Sequence, residues 1–325
     1  HYAVKCYPSK AILTALDVMG VSFDCATQEE IKGILEMGVD PSRIIFAHPI
    51  KTPASLKFCE ENGVKVTTLD CESEISKIKS NFPGIKIVLR LKQERSASQC
   101  IGNLDSKFGA SLDHAKNLFD KCIEEKLEVV GASFHVGWCT KNLKVYASQI
   151  ESCRELFDYA KTKGLHLNLI DIGGGFLGKS TQSTRFEDCA KIINNALEEN
   201  FGDEIRHRKI RIISEPGTYF NDDCQNSFFR VNKIIEQNQE TQTIIINDGE
   251  YGTLQNLFTG DSRTALEAIK ECSESSDNGQ LKTKIMGTSK GGRKVDISKQ
   301  IENLPQLSVG DILVLKDCGA YSNSM

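Results

Sequence analysis

Two features of the sequence place reactive or anion-binding groups beside apolar runs. Lys5 follows Tyr2-Ala3-Val4, and burial lowers the pKa of a lysine amine enough to make it a nucleophile that can form a Schiff base. The alternative is a lysine whose aliphatic stem is buried while its ammonium reaches water. The run Gly173-Gly174-Gly175 has no side chains to keep an anion away from its backbone N–H groups. The same run also suits a tight turn without a ligand.

A carboxylate and an imidazole complete the set. Glu215 ends an apolar run before Pro216-Gly217, and its carboxylate can pair with a protonated ring nitrogen or form an ordinary salt bridge. His135 also ends an apolar run, and it can stack against an aromatic ring or serve a structural role. An amine, an anion-binding loop, a stacking ring and a carboxylate are together the groups that suit pyridoxal phosphate.

The elements that must position these residues alternate between short apolar runs and longer amphipathic stretches, which is the order of a parallel sheet covered by helices. The predicted strands are Tyr2–Cys6, Ser22–Ala26, Ile44–His48, Val66–Asp70, Lys86–Leu91, Val129–Gly137, Leu167–Gly173 and Ile210–Glu215. The predicted helices include Gln28–Met37, Leu112–Lys126, Leu143–Lys163 and Phe186–Glu199. This pattern predicts an α/β fold of the (β/α)8 TIM-like barrel type, with a doubly wound open sheet as the alternative.

A barrel of this kind requires polar residues at the carboxyl ends of its strands, because the active sites of the fold lie there. The polar or glycine residues at or near the ends of the predicted strands are Lys5, Asp24, His48, Asp70, Arg90, His135, Gly173-Gly174-Gly175 and Glu215. Loops after strands seven and eight are also the usual phosphate site of the fold. We therefore expect these groups to share one mouth of the barrel.

After Pro216 the pattern changes to strands separated by turns. The predicted strands of this part are Tyr219–Ile234, Thr243–Tyr251 and Ile312–Leu315. We expect a pyridoxal-phosphate-binding barrel over residues 1–218, followed by a smaller, mainly antiparallel β domain over residues 219–325.

Composition argues against several classes of function. Of the 325 residues 39% are hydrophobic and 26% are charged, with a formal net charge of −4, so binding to nucleic acid or to a membrane surface has no electrostatic basis. No apolar run is long enough to cross a bilayer. The 12 cysteines are scattered without CxxC pairs or zinc-site spacing, which predicts reduced thiols, no metal site and a cytoplasmic location. Because the chain starts at His1 inside an apolar run and stops at Met325, we expect a fragment cut at both ends.

Seven motifs occur in order along the chain: Tyr-Ala-Val-Lys-Cys (2–6), Phe-Asp-Cys-Ala (23–26), Ser-Phe-His-Val-Gly (133–137), Asp-Ile-Gly-Gly-Gly-Phe (171–176), Ser-Glu-Pro-Gly (214–217), Asn-Asp-Gly (247–249) and Gly-Ala-Tyr (319–321). In this combination the chain resembles the eukaryotic ornithine decarboxylases and their non-catalytic relatives, the antizyme inhibitors. The resemblance covers essentially the whole chain. It implies a pyridoxal-phosphate-binding barrel, a β domain, and a homodimer with its active sites at the subunit interface.

The resemblance also implies a role for individual residues. Lys5 would hold pyridoxal phosphate through a Schiff base, Glu215 would keep the ring nitrogen protonated, and His135 would stack on the ring face. Backbone N–H groups of the glycine run and the hydroxyl of Tyr321 would bind the phosphate. The implied catalytic residues are Lys5, His135 and Tyr321; the implied cofactor-binding residues are Lys5, Asp24, His135, Gly173, Gly174, Gly175, Glu215, Thr218 and Tyr321, with Glu30 near the reacting amine.

The sequence departs from the family pattern around the cofactor phosphate and the substrate. Thr218 and Asn103 stand where the family has arginines, and Trp138-Cys139 take the place of a phosphate-binding serine. Exchanging a charge-assisted contact for the neutral hydroxyl of Thr218 costs about 1.5–3 kcal/mol. On the substrate side, Asp261 is the candidate acid for a distal amine of the substrate. Lys290 stands where the family has an acid and would repel such an amine.

Three functions remain open from the sequence. The favoured one is a pyridoxal-phosphate-dependent decarboxylase of ornithine or another amino acid, with ornithine decarboxylation giving putrescine for polyamine biosynthesis. The second is an inactive, antizyme-inhibitor-like protein that binds antizyme through residues 53–77, a mixed-charge stretch that could equally be a solvated face. The third is a cofactor-free barrel in which Lys5 acts on a sugar phosphate as an aldolase-like amine. The expected partners are an amino-acid substrate, a second copy of the chain and antizyme.

Overall fold

The chain forms two compact units. The first comprises His1–Leu177 and Gln182–Tyr219, and the second comprises Gly178–Thr181 and Phe220–Met325. The computed structural model describes residues 1–93, 107–137, 142–176, 178, 185–249, 252–253, 266–269, 280–287 and 303–322.

The first unit is built around eight parallel strands that pair in sequence order. They are β1 Tyr2–Ala3, β2 Phe23–Cys25, β3 Ile44–Phe46, β4 Val66–Leu69, β5 Lys86–Arg90, β6 Val129–Ser133, β7 Leu169–Asp171 and β8 Arg211–Ile213. The Ala3 amide donates a hydrogen bond to the Pro216 carbonyl at 3.1 Å, so β1 also meets the segment that follows β8. The predicted TIM-like arrangement is confirmed, and the sequential strand order contradicts the open doubly wound alternative.

Helices follow the strands along the chain. They are α1 Lys10–Val18, α2 Gln28–Glu36, α3 Pro53–Glu61, α4 Glu72–Asn81, α5 Leu112–Glu124, α6 Lys144–Thr162, α7 Phe186–Arg206 and α8 Thr218–Asn221. Their first residues carry ordinary start signals. Thr27 caps α2 by accepting a hydrogen bond from the Glu30 amide, and Thr52 and Ser55 form a reciprocal capping box with Pro53 as the first helical residue of α3.

The first strand is shorter than predicted. The strand expected over Tyr2–Cys6 ends at Ala3, and Val4–Cys6 form a 3-10 turn. Lys5 therefore lies on a turn after the strand and not at its last position. The apolar pattern could not reveal this, because Tyr2 of the strand and Val4 and Cys6 of the turn are all buried, just as alternate residues of a continuous strand would be.

Two later strands also end early. The strand predicted over Val129–Gly137 ends at Ser133, and the one predicted over Leu167–Gly173 ends at Asp171. His135 and the glycine run consequently lie in loops, where their backbone groups are released from sheet pairing.

Two predictions near the end of the barrel need correction. The helix predicted over Phe186–Glu199 continues to Arg206. The strand predicted over Tyr219–Ile234 starts too early, because Thr218–Asn221 are helical and the strand itself is Ser227–Gln237. In both places apolar residues occur on each side of the end of the element, so the apolar pattern does not show where the helix or strand ends.

The barrel interior is apolar at one level and polar at the next. The apolar level consists of Ile45, Ala47, Val88, Val130, Leu169 and Ile213. Side chains two residues apart on a strand face the same side, so Arg90, Asp171 and Glu215 follow Val88, Leu169 and Ile213 on the inner side. Because the strands are parallel, these polar residues lie at the same mouth of the barrel.

The second unit contains a six-stranded sheet in the order β11-β14-β9-β10-β12-β13. Its strands are β9 Ser227–Gln237, β10 Thr241–Ile246, β11 Leu266–Ile269, β12 Leu281–Met286, β13 Asn303–Leu304 and β14 Ile312–Leu315. Among the described pairs, β10 with β12 is parallel and the others are antiparallel. The prediction of a mainly antiparallel sheet is confirmed, and β14 has its predicted bounds.

The described cysteines are all free thiols. Within the same residues, no group of three or more His, Cys, Asp or Glu side chains is arranged to hold a metal ion. None of the described helices is long and apolar enough to cross a membrane.

Candidate functional site

Lys5 and Asp24 form an ion pair at the barrel mouth. Asp24 lies on β2 opposite Ala3 of β1, and the turn after Ala3 brings the Lys5 ammonium to 2.5 Å from Asp24 Oδ2. The Asp24 side chain is fully buried, whereas the Lys5 side chain is 36% exposed. The second oxygen, Asp24 Oδ1, has no hydrogen-bond partner among the described residues. The pair therefore fixes the amine while leaving it accessible from the mouth.

Glu30 adds a second acid close to this pair. Its Oε2 accepts a hydrogen bond from the Ala26 amide at 2.6 Å, an interaction of the capping-box type that also holds the start of α2. Burial raises the pKa of Glu30, and the negative charge of Asp24 acts in the same direction against the hydrogen bond from Ala26. Glu30 thus lies where the sequence predicts it, near the Lys5 amine.

β7 and β8 bring two buried carboxyl groups together. The Glu215 amide donates to the Gly173 carbonyl at 2.7 Å, and the Gly173 amide donates to Asp171 Oδ1 at 2.9 Å. Burial raises the pKa of Glu215 well above its usual range, and the neighbouring Asp171 carboxylate raises it further. Burial raises the pKa of Asp171 as well. A cationic group beside this pair would relieve both the burial cost and the repulsion.

Asp171 was not among the residues predicted for the site, whereas Glu215 was. The available signal was the charged residue inside the apolar run Leu169-Ile170-Asp171-Ile172. A carboxyl group in a buried strand is costly unless another group compensates for it, and that rule points to Asp171 without any structure.

His135 is held as a neutral imidazole. Its Nδ1 accepts a hydrogen bond from the Gly137 amide at 3.0 Å, which assigns the ring proton to Nε2. Burial lowers the pKa of His135 to about 3, and the positive charges of Arg90 and Lys5 contribute in the same direction. The ring also borders the glycine run, because a Cβ on Gly174 would lie 3.1 Å from His135 Nε2. A neutral ring in this position suits stacking and not ion pairing.

The glycine run is shaped by close approach of other backbone segments. Gly173 and Gly175 have φ of +64° and +92°, the left-handed region that favours glycine. A Cβ on Gly173 would lie 2.1 Å from the Phe134 carbonyl oxygen, and one on Gly175 would lie 2.2 Å from that of Gly137. None of the described groups accepts a hydrogen bond from the amides of Gly174 or Gly175. These two N–H groups are donors available to an anion.

Arg90 lies at the end of β5, as the sequence predicts. Its guanidinium lies 5.2 Å from the centre of the Phe108 ring, and the His48 ring meets the same phenylalanine edge-on at 5.6 Å. Asp70 Oδ2 accepts a hydrogen bond from the Gly109 amide at 2.7 Å. Residues at the ends of β3, β4 and β5 therefore all contact the segment 108–109. The apolar pattern of the sequence did not indicate that Phe108 lies against Arg90 and His48.

Of the remaining predicted site residues, the structure describes the burial of Thr218 and the backbone conformation of Tyr321. Thr218 is a buried residue at the start of α8. Tyr321 belongs to the second unit, where it has φ of +58°. Asp261, Lys290, Asn103 and Trp138-Cys139 lie outside the described residues.

The stretch 53–77, predicted as an antizyme-binding surface, keeps part of its charge inside the unit. Glu74 is 1% exposed, and it pairs with both Lys51 and Lys77. The buried Lys51 ammonium also donates to the carbonyls of Pro49 and Thr68 at 2.9 and 2.7 Å, and burial lowers the pKa of Lys51 to about 8. The exposed charged residues of the stretch are Lys57, Glu60, Glu61, Lys65 and Glu72.

The residues at the mouth fit pyridoxal phosphate. An accessible amine is fixed by a buried acid, Asp24, whose Oδ1 has no hydrogen-bond partner within the described part of the chain. The pKa of the buried Glu215 carboxyl is raised well above its usual range despite the positive charge of Lys5, and a protonated pyridine nitrogen would compensate the charge of the Asp171–Glu215 pair. The Gly174 and Gly175 N–H groups can donate hydrogen bonds to phosphate oxygens. The weak point is Thr218, whose hydroxyl cannot supply the charge of an arginine.

Comparison with known proteins agrees with this assignment. The family described as pyridoxal-dependent decarboxylase, pyridoxal binding domain, matches residues 1–222. Ornithine decarboxylase of Mus musculus is 32% identical over 337 residues, covering 99% of this chain and 70% of that protein. Antizyme inhibitor 2 of Xenopus laevis is 33% identical over 335 residues, covering 99% and 71%. The crystal structure of the Paramecium bursaria Chlorella virus arginine decarboxylase bound to agmatine has a TM-score of 0.89 and 30% identity, covering 100% of this chain and 84% of that one.

A parallel barrel with a lysine, a buried acid pair and a glycine loop at one mouth, followed by a β unit, is the architecture of the fold-type III pyridoxal-dependent decarboxylases. Within that class the chain belongs to the ornithine decarboxylase and antizyme inhibitor family.

Proposed function

We propose that the protein is a pyridoxal-phosphate-dependent decarboxylase of an amino acid with a basic side chain. The observation that carries the proposal is the Lys5 amine, held 2.5 Å from the buried Asp24 at the barrel mouth. The aldolase-like alternative also uses Lys5, but it gives no purpose to the buried acids Asp171 and Glu215.

Each residue at the mouth has a distinct task. When bound, pyridoxal phosphate supplies a protonated pyridine ring that accepts the electron pair left as carbon dioxide departs. Lys5 provides the amine that holds the cofactor, and Asp24 keeps that amine in place. Glu215, with Asp171 beside it, would hold a proton at the ring nitrogen because a buried carboxylate favours the charged form of a cation next to it. His135 offers the face of a neutral ring.

The substrate proposed first is ornithine, with putrescine as the product. The mouse relative is an ornithine decarboxylase, and the decarboxylase of Vibrio vulnificus named for lysine and ornithine was solved with putrescine at a TM-score of 0.83. Asp261 would hold the distal amine of the substrate, and Lys290 would oppose it. A basic amino acid of another length, such as lysine or arginine, is therefore the second choice. We further propose a homodimer and a cytoplasmic location.

The first experiment captures the cofactor on the protein. The full chain is incubated with pyridoxal phosphate, reduced with borohydride and digested, and the pyridoxyl adduct is located by mass spectrometry. We expect a stoichiometric adduct on Lys5 that is absent in Lys5→Ala and retained in Lys10→Ala, because Lys10 is an exposed residue of α1. Lack of an adduct on Lys5 in the unmodified chain would contradict the proposal.

The second experiment measures carbon dioxide released from carboxyl-labelled ornithine, lysine and arginine. We expect release from at least one of them, with loss of release in Lys5→Ala but not in Lys10→Ala. An adduct on Lys5 without release from any of the three would refute decarboxylation while leaving the cofactor site intact.

An antizyme-binding role is the second candidate, because the antizyme inhibitor of Xenopus laevis is as similar as the decarboxylases. It is favoured by the neutral Thr218, which stands where the family has an arginine and cannot supply that charge to a phosphate. Direct binding to purified antizyme that weakens with salt would support it. Charge reversal of the exposed Lys57 and Lys65 should reduce such binding, whereas Lys77→Ala should act through stability because Lys77 pairs with the buried Glu74.

A further inference from the structure

Tyr146 on α6 is buried against the glycine loop. The ring is fully buried, stacks on Phe176 with centroids 5.7 Å apart and planes 10° apart, and meets Phe134 edge-on at 6.4 Å. These contacts hold the ring in one orientation. Its hydroxyl donates a hydrogen bond to the Gly174 carbonyl oxygen at 3.0 Å.

That hydrogen bond determines the direction of the next amide. The Gly174–Gly175 peptide is trans, as are all the described peptide bonds, so the Gly174 carbonyl and the Gly175 N–H point in opposite directions. A donor fixed on the carbonyl therefore turns the Gly175 N–H away from α6. This N–H is one of the two that no described group accepts.

The loop needs such a restraint because its three residues are glycines. Glycine has more backbone freedom than any other residue, and an anion site formed by glycine amides must lose that freedom on binding. The close approach of the Gly137 carbonyl restricts Gly175 on one side, and the Tyr146 hydroxyl restricts the peptide from the other.

The hydroxyl keeps its proton at any ordinary pH. Burial raises the pKa of Tyr146 well above its usual value, and the neighbouring Cys189 of α7 contributes in the same direction. Tyr146 therefore keeps a proton to donate, and the structure places the Gly174 carbonyl oxygen 3.0 Å from its hydroxyl.

We propose that Tyr146 is a positioning residue for the cofactor phosphate, acting through its hydrogen bond to Gly174 to direct the Gly175 N–H toward that phosphate. The inference rests on the proposed cofactor.

The test is Tyr146→Phe, which removes the hydroxyl and keeps the stacked ring. The matched control is Tyr159→Phe on the same helix, which removes a hydroxyl that donates to Asp120 at 2.6 Å on the outer side. Affinity is measured by absorbance titration with pyridoxal phosphate and, in parallel, with pyridoxal, which has no phosphate. We expect Tyr146→Phe to weaken pyridoxal phosphate binding about three- to tenfold, the value of one neutral hydrogen bond. Pyridoxal binding and both affinities of Tyr159→Phe should not change.

Equal loss of affinity for both ligands, or no loss for either, would overturn the inference while leaving the proposed function in place. If the unmodified chain fails to form the Lys5 adduct, the proposed function fails, and inorganic phosphate then decides the inference. Phosphate that raises the melting temperature of the unmodified chain more than that of Tyr146→Phe supports it. An equal rise in both proteins overturns it.

Discussion

Asp171→Asn should stabilise the cofactor-free protein at neutral pH, although most substitutions of buried residues destabilise. Asparagine keeps a side-chain oxygen that can accept the hydrogen bond from the Gly173 amide, which now goes to Asp171 Oδ1. It removes the carboxylate that faces Glu215. The substitution therefore separates the hydrogen-bonding role of this side chain from its charge.

The size of the effect follows from the pKa of Asp171. Burial raises it from 3.8 to about 6, and one pKa unit corresponds to about 1.4 kcal/mol. Below pH 3.8 the group is protonated in the folded and the unfolded chain, so it costs nothing. As the pH rises toward 6 the unfolded chain ionises first, and the folded state loses up to about 3 kcal/mol relative to it. Asparagine does not titrate, so the advantage of the variant should grow over this interval and then level off.

The assay is the melting temperature of the cofactor-free chain at pH 4, 5, 6 and 7, in which a change of 1 kcal/mol corresponds to about 1–2 °C for a chain of 325 residues. Asp223→Asn serves as the control because Asp223 is exposed, and its melting temperature should follow that of the unmodified chain. Adding pyridoxal phosphate should stabilise the unmodified chain more than Asp171→Asn. In the unmodified chain the protonated ring compensates both Asp171 and Glu215, whereas in the variant it compensates Glu215 alone. A difference between Asp171→Asn and the unmodified chain that stays constant with pH would refute the reasoning.

Three further predictions concern other parts of the first unit. Burial opposes ionisation of Glu204, but the hydrogen bond from Arg154 lowers its pKa to about 2. Glu204→Gln should therefore lower the free energy of unfolding by about 1 kcal/mol at neutral pH, as measured with denaturant. This loss should disappear as the pH falls from 4.5 toward 2. Gly173→Ala should lower the melting temperature more than Gly164→Ala, because both have positive φ but only Gly173 would direct its Cβ at a carbonyl oxygen, 2.1 Å away; equal losses would show that backbone strain alone matters. Thr218→Arg should tighten pyridoxal phosphate about tenfold or more by adding a charge-assisted contact, and titration should show no gain for pyridoxal.

Apolar periodicity was enough to find the barrel but not the ends of its strands. All the barrel strands were located because buried parallel strands leave short apolar runs bounded by polar residues. The turn at Val4–Cys6 was missed because a buried 3-10 turn and a buried strand hide the same residues. The prediction that Lys5 lies at the mouth does not depend on this error, since a residue two positions beyond a strand still lies at its carboxyl end.

Site residues could be predicted where their type is unusual for its position in the sequence, but not where their role depends on packing. Lys5, Glu215 and the glycine run were found because an amine, an acid and consecutive glycines are unusual after apolar runs. Asp171 was overlooked inside such a run, although its charge was a usable signal. Tyr146 gave no signal, because an aromatic residue on the inner stripe of a helix looks the same whether its hydroxyl is idle or bonded.

The Ala3–Pro216 hydrogen bond has a consequence for how the protein matures. Lys5 comes from the first segment of the barrel and Glu215 from the last, so on a ribosome the amine is made long before the acid that completes its site exists. Pairing of residues so distant in sequence is among the slowest steps of folding. Until β1 meets the segment after β8, the nascent chain has the Lys5 amine but not the acids that complete its site. An aldehyde would then react with Lys5 as with any other lysine. A ligand that binds only the closed barrel would therefore favour complete molecules over incomplete ones.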